Sequence, residues 1–403
     1  MNLRTTQPWW LLRNGLLHDY PPLEHDIDCD VAVVGGGLTG ALIADRLSRA
    51  GMSLTVIDSR SIGEGSTAAS TALLQYEVDQ PLRQLSKSIG LEAAVRVYRL
   101  GSAAIDALEV LSREIACRFA RRPSLQLASR PTHSPRLQHE CGLRQQHGFA
   151  CHYLGRHELV QRYGFDHAGA LFTEVAGELD PYRLTHGLLR RALGRGVRVF
   201  DRTLVTSYRS QGDTVTLSTD RSHDVRAKRV IFATGYEALE FGPRRLTTLK
   251  STFAIVTDPI PDLSRWPDRC LIWETSLPYL YLRTTDDQRI IVGGGDIDGA
   301  DPLVRDRLLP RKANWLESRL RRLLPWLTFD IAFAWAGAFA ETADSLPMIG
   351  PARGFPNAHF ALGYGGNGVT FAAIAADVLC GLMTDGDHID AALFSPDRVA
   401  PRK

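Results

Sequence analysis

The chain has little lysine, no closely paired cysteines and no long apolar run. Only Lys87, Lys228, Lys250, Lys312 and Lys403 are lysines among 47 basic residues, leaving 42 arginines. With arginine so abundant, no single arginine marks a site by itself. The six cysteines, at 29, 117, 141, 151, 270 and 380, form no CxxC pair. Reduced, buried thiols in a cytoplasmic protein are the expectation. No stretch reaches the ~18 consecutive apolar residues of a membrane span. Trp9-Trp10-Leu11-Leu12 is short and runs into Arg13, so no secretory leader is expected. A net charge of +2 supplies no broad field for a polyanion, which argues against nucleic acid as the main partner. A Gly-x-Ser-x-Gly elbow is also missing, so a hydrolase is unsupported. The histidines and cysteines crowded between His133 and His167 lack zinc-finger spacing, and no metal is expected. That stretch reads as a solvated, polar face.

What remains is an ordinary globular composition, 44% hydrophobic and 23% charged, with 35 glycines in 403 residues. The length predicts two to three domains of roughly 100–200 residues. Residues 1–28 read as an irregular arm, because Pro21-Pro22 prevents helix. Asp30 to Val34 is a continuous apolar strand, Gly35 to Gly40 a turn, Ala41 to Arg49 a helix, and Leu54 to Ile57 a second strand ending at Asp58. This is a complete βαβ unit. Leu91 to Cys117 has helical spacing, and Leu184 to Leu193 is helical. Alternation predicts strands at Thr203–Tyr208, Thr214–Ser218, Thr252–Thr257, Pro278–Arg283 and Arg289–Val292. Residues 306–324 predict an arginine-studded amphipathic helix, and Val369 to Met383 an apolar one.

The first turn carries Gly35-x-Gly37-x-x-Gly40 between an apolar strand and a helix, with Asp58 closing the next strand. This is the context a dinucleotide fingerprint requires. Gly35 permits the tight turn, Gly37 lets the backbone approach a pyrophosphate, and Gly40 lets helix and strand pack closely. The helix N-terminus then stabilises phosphate charge. Asp58 is placed to accept from a ribose. NAD and FAD both fit at this point.

Three further features select FAD. Gly63 to Thr71 is rich in small residues and hydroxyls, and Leu73-Leu74 follows at once. Arg229 to Gly235 is an apolar strand ending Ala233-Thr234-Gly235. Phe360 to Thr370 holds Gly365-Gly366-Asn367-Gly368-Val369-Thr370, a second glycine-rich strand-to-helix turn. Its N–H groups are suited to negative charge on a reduced flavin.

With these motifs in order, joined by Gly177-Glu-Leu-Asp-Pro181, Trp335-Ala-Gly337 and Thr342-Ala-Asp344-Ser-Leu-Pro-Met-Ile-Gly350, the chain resembles the D-amino acid oxidase/glycine oxidase superfamily. The arm with Tyr20-Pro-Pro-Leu23 is similar to its gamma-glutamylputrescine oxidoreductase-like branch. The resemblance implies an α/β Rossmann-type FAD-binding domain at 30–80, 176–244 and 335–390. A discontinuous substrate domain with an antiparallel or mixed sheet takes 81–175 and 245–334, an arm takes 1–29 and a tail 391–403. It implies FAD contacts at Gly35, Gly37, Leu38, Thr39, Gly40, Asp58, Ser59, Arg60, Gly65, Ser66, Thr67, Ser70, Thr71, Leu73, Leu74, Val205, Ala233–Gly235, Gly337 and Gly365–Thr370. It also implies dehydrogenation of a C–N bond in a small amine or amino acid. Oxygen or another acceptor takes the electrons, and flavin N5 carries the hydride step, so no catalytic side chain is named. A flavin dehydrogenase and a non-catalytic flavoprotein binding partner are the alternatives.

Three departures follow. Phe339 stands where glycine oxidase-like members hold an α-carboxylate with arginine, and Arg283 is the candidate replacement. No cysteine lies between 271 and 379 to attach the flavin, so FAD is expected to be non-covalent. No lysine lies between Lys250 and Lys312 to activate oxygen. Gln75, Tyr76 and Tyr281 complete the expected substrate wall.

Overall fold

The structure, a computed structural model, describes residues 3–235 and 247–398. The expected segments 176–244 and 391–403 reach residues outside that set.

The βαβ unit forms with strands Ile27–Val34 and Leu54–Ile57 around helix Leu38–Arg49. Strand Ile27–Val34 pairs in parallel with Leu54–Ile57 on one side and Asp224–Gly235 on the other. Val31, Ala32 and Val33 are fully buried. Covering on both faces is why the strand reads as an unbroken apolar run. The sheet runs Met348–Pro351, Ala358–Leu362, Asp224–Gly235, Ile27–Val34, Leu54–Ile57 and Arg198–Phe200, with the hairpin Val205–Gln211 and Thr214–Thr219 attached to Asp224–Gly235. Helix Leu38–Arg49 packs against helices Pro181–Leu193 and Gly368–Thr384. Asp180 starts the former: its side chain accepts from the N–H groups of Tyr182 and Arg183 at 3.1 and 3.0 Å. Pro181 occupies the first turn, where its missing N–H is not needed.

The second sheet runs Arg4–Thr5, Ile331–Thr342, Thr247–Thr257, Ile290–Asp298, Leu280–Thr284, Leu271–Glu274, Ala120–Leu127, Gly169–Glu178 and Leu73–Gln75. Helix Pro302–Leu323 covers it, burying Leu309, Leu316 and Leu320 with Phe253, Ile255 and Val292. Each such side chain contributes about 1.5–3 kcal/mol by leaving water.

Four expectations are corrected. The N-terminal arm is ordered: Arg4 and Thr5 pair with Gly337 and Ala336, and Trp9–Asn14 is a helix. Trp10 is fully buried and its indole N–H donates to the Ser70 carbonyl at 2.7 Å. Tertiary burial stabilises a turn too short to persist alone. The stretch 130–167 is not merely a polar face. It holds helices Ser134–Gln146 and Arg156–Tyr163 and strand Cys151–Gly155. Its Arg144, 1% exposed, donates to Glu140 and Glu77, each at 2.9 Å. In the arginine-studded helix, Arg305 is fully buried and donates to Thr5 Oγ1 at 2.8 Å. Finally, the expected boundaries at 175/176 and 334/335 fall inside strands Gly169–Glu178 and Ile331–Thr342. Leu73–Gln75, assigned to the FAD domain, belongs to the second sheet.

Candidate functional site

A cavity of about 1540 Å³ runs between the two sheets. Its first half is built by the βαβ unit. Gly35 has φ +114°, and a Cβ there would lie 2.3 Å from the Ala233 carbonyl oxygen. A Cβ on Gly40 would lie 1.8 Å from the Gly35 oxygen, so helix and turn close only without side chains at both positions. The Asp58 carboxylate accepts from the N–H groups of Gly36 at 2.6 Å and Arg60 at 2.8 Å, which fixes it at the strand end. Thr67 Oγ1 accepts from Leu38 N–H at 2.9 Å. The buried hydroxyl oxygens of Ser66 and Thr234 have no hydrogen-bond partner among the described residues. Buried hydroxyls of this kind are almost always satisfied, and both residues line the cavity. A glycine cradle with spare hydroxyls at a helix N-terminus fits a dinucleotide.

The cavity is lined by Gly35, Gly37, Leu38, Thr39, Asp58, Ser59, Arg60, Gly65, Ser66, Thr67, Ser70, Thr71, Leu73, Val205, Ala233, Thr234, Gly235, Gly337 and Gly365 to Val369. Gln75, Tyr281 and Phe339 line it too. Gly40, Leu74, Tyr76, Arg283 and Thr370 do not. Gly40 acts behind the cradle, in helix packing. Leu74 and Tyr76 are corrected by strand parity: Leu73, Gln75, Glu77 and Asp79 line the cavity, while Leu74 and Tyr76 face the core. Tyr76 stacks on Phe149 with ring centroids 5.3 Å apart. Thr370 is buried and donates to the Gln75 carbonyl at 3.2 Å, tying the second glycine turn to the substrate wall.

Arg283 is the main correction. It is 3% exposed, and its guanidinium donates to the carbonyls of Ala72 at 2.7 Å, Leu179 at 2.9 Å and Thr284 at 3.0 Å. Its charged carbon lies 5.3 Å from the Trp10 ring centroid. The side chain braces the Thr71–Ala72 segment from behind and is not available to a substrate carboxylate. Phe339 does line the cavity, paired in register with Lys250 on the neighbouring strand.

Several lining residues were missed: Glu77, Asp79, Lys250, Thr252, Trp273, Tyr279, Asp296 and Glu341. Glu77, Tyr279 and Glu341 lie two residues from Gln75, Tyr281 and Phe339, so alternation would have found those three; Lys250, Thr252, Trp273 and Asp296 lie on strands with no predicted wall residue. Tyr281 Oη and Thr252 Oγ1 are 3.2 Å apart. Burial pushes the Tyr281 phenol up, so it stays protonated as a donor. Lys250 pairs with Glu341 at 2.8 Å.

Residues 30–382 match a family described as FAD dependent oxidoreductase, DAO. The chain belongs to this family. Its cofactor is FAD, and the glycine cradle is where these oxidoreductases would be expected to hold the dinucleotide. The chain is 27% identical over 392 residues to the gamma-glutamylputrescine oxidoreductase of Escherichia coli K12, covering 92% of this chain and 88% of that one. It is 25% identical over 366 residues to the glycine oxidase of Bacillus licheniformis, covering 88% and 92%. Among solved structures, glycine oxidase from Geobacillus kaustophilus superposes with a TM-score of 0.77 at 20% identity, over 93% of this chain and 100% of that one. L-proline dehydrogenase from P. horikoshii gives 0.76 at 19%, over 93% and 98%. The DAO fold expected from the sequence is therefore the one observed. No helix among the described residues is long and apolar enough to cross a membrane.

Proposed function

We propose that this family member dehydrogenates the C–N bond of a small amine or amino acid, giving an imine. FAD, held non-covalently, supplies the hydride acceptor at N5. The observation that carries this reading is the continuity of one cavity: the dinucleotide cradle opens directly onto Gln75, Tyr281 and Phe339. Similarity to oxidoreductases named for gamma-glutamylputrescine, glycine and proline supports it. No cysteine lines the cavity among the described residues, in keeping with non-covalent attachment.

The protein's own contribution is placement and desolvation. An amine must be neutral to release hydride from its neighbouring carbon, and an enclosed site lowers an amine pKa. Tyr281, held by Thr252, offers a hydroxyl beside that position. Neither of the two positions considered for a simple α-carboxylate offers a bidentate partner: Phe339 occupies one and Arg283 is committed behind the wall.

A non-oxygen electron acceptor is a second reading, favoured by one observation. Lys250 is tied to Glu341, and a cation neutralised by a carboxylate does less for an anion forming on oxygen. Anaerobic mixing of the holoenzyme with a panel of amines, N-methyl amino acids and D-amino acids tests both. Loss of the visible flavin absorbance with at least one amine is expected; no loss with any overturns the C–N reading. Admitting air then separates oxidase from dehydrogenase by the rate of recovery.

A further inference from the structure

One wall of the substrate half of the cavity gathers carboxylates. Asp79, Asp296 and Glu341 line it, and Lys250 is matched to Glu341 at 2.8 Å. Asp79 accepts from neutral donors, the Gly366 N–H at 3.0 Å and the Asn367 amide at 3.3 Å. Asp296 Oδ1 is buried with no hydrogen-bond partner among the described residues. A carboxylate oxygen buried without a donor is costly, and proteins normally keep one only beside a cation. Two aromatic rings, Tyr279 and Tyr281, stand beside them with centroids 5.7 Å apart. Aromatic faces beside carboxylates are the chemistry that receives an ammonium group. Asp79 is open to the cavity yet deep in the protein. Crowding by protein, then the carboxylates of Glu341 and Asp296, push it up to about 6 against the pull of Gly366 N–H.

We propose that this wall selects amines carrying a second cationic nitrogen, diamine- or polyamine-type chains, whose distal ammonium is held by Asp79 and Asp296 while the neutral nitrogen is presented for oxidation. The assignment rests on the C–N reading above and adds its substrate class. The carboxylates hold the distal nitrogen, since one paired with the reacting nitrogen would keep it protonated and block hydride release. Tyr279 and Tyr281 flank the chain.

Two measurements on the holoenzyme test it. In the first, perturbation of the flavin spectrum reports binding of an alkyltrimethylammonium ion, which cannot be dehydrogenated to an imine, against the uncharged alcohol of equal chain length. The cation is expected to bind about tenfold tighter, the margin of one well-placed charge pair. In the second, the ratio of kcat/KM for a diamine over the equal-length monoamine is compared in wild type, Asp79→Asn and Asp296→Asn. The ratio is expected to exceed about ten in wild type and to fall roughly tenfold in each variant. Equal binding of the two probes, or an unchanged ratio in both variants, overturns the proposal. If the cation binds tighter than the alcohol but no amine reduces the flavin, the C–N reading fails and the cation subsite stands. If amines reduce the flavin without preference for the second charge, the subsite fails and the C–N reading stands.

Discussion

At the residue scale, Phe339 and Arg283 decide what the site can recognise. Phe339 faces the cavity where related enzymes are expected to carry a carboxylate-binding arginine, and its strand partner is Lys250. Phe339→Arg should therefore create a bidentate carboxylate site. The expected result is a gain of about tenfold or more in kcat/KM for small α-amino acids, equivalent to ~1.4 kcal/mol, measured against a carboxylate-free amine. No change would place the carboxylate elsewhere. Arg283 predicts the opposite pattern. Arg283→Met leaves the Ala72 and Leu179 carbonyls unsatisfied and Glu178 without a charge 3.5 Å away. Removing one partner from such a buried set costs ~3–5 kcal/mol. Thermal unfolding should drop and FAD should be lost more readily on gel filtration, while selectivity between amines with and without a carboxylate stays as in wild type. A selective loss of carboxylate substrates would restore Arg283 to the substrate wall. Both side chains were singled out in the sequence, yet their roles diverge because an arginine at a strand end reads the same whether it faces a cavity or three backbone carbonyls.

At the element scale, local patterns carried most of the fold. The βαβ unit was legible because glycine spacing, an apolar run and a helix period agreed over Asp30 to Asp58. Strand Leu54–Ile57 falls where the apolar run put it. The N-terminal arm was not legible, since six residues of helix have no propensity signal and order comes from contacts formed far away in sequence. Its indole, Trp10, reaches Ser70 beside the FAD loop and lies under Arg283. Trp10→Ala should cost ~3–5 kcal/mol through the cavity it leaves. Limited proteolysis should then release the arm, and FAD affinity should weaken because the Ser70 segment loses its brace. An arm that stays resistant to protease would show that strand Arg4–Thr5 alone anchors it. The cavity wall was half legible for a related reason. Parity along one strand separates Leu73 and Gln75 from Leu74 and Tyr76, but Asp296, on a strand with no predicted wall residue of its parity, becomes visible only once the strands are in register.

At the scale of the whole molecule, the two sheets draw their strands from interleaved stretches of the chain, so we propose that no single backbone cut yields a stable half. Two imidazoles outside the cavity wall, one buried and one half-buried, bear on the stability of that assembly. His186, 3% exposed, lies against Tyr20 and Tyr182, and burial, reinforced by the charge of His18, lowers it to about 4. His359, on strand Ala358–Leu362, is lowered to about 4 by burial and the Arg229 charge. Both are neutral in the folded protein, whereas an unfolded histidine takes up its proton near 6.5. Between those values the unfolded chain binds more protons, so stability falls as pH drops through 6.5 toward 4 and is complete above 6.5. Fully developed, a shift of this size is worth up to ~3 kcal/mol for His186. The expected observation is an unfolding temperature that is level from pH 7 to 8 and declines below ~6.5. His186→Gln should flatten that decline, because a neutral amide has no proton to gain. An unaltered slope in this variant would assign the acid sensitivity to His359 or to the carboxylates, and His359→Gln separates those two.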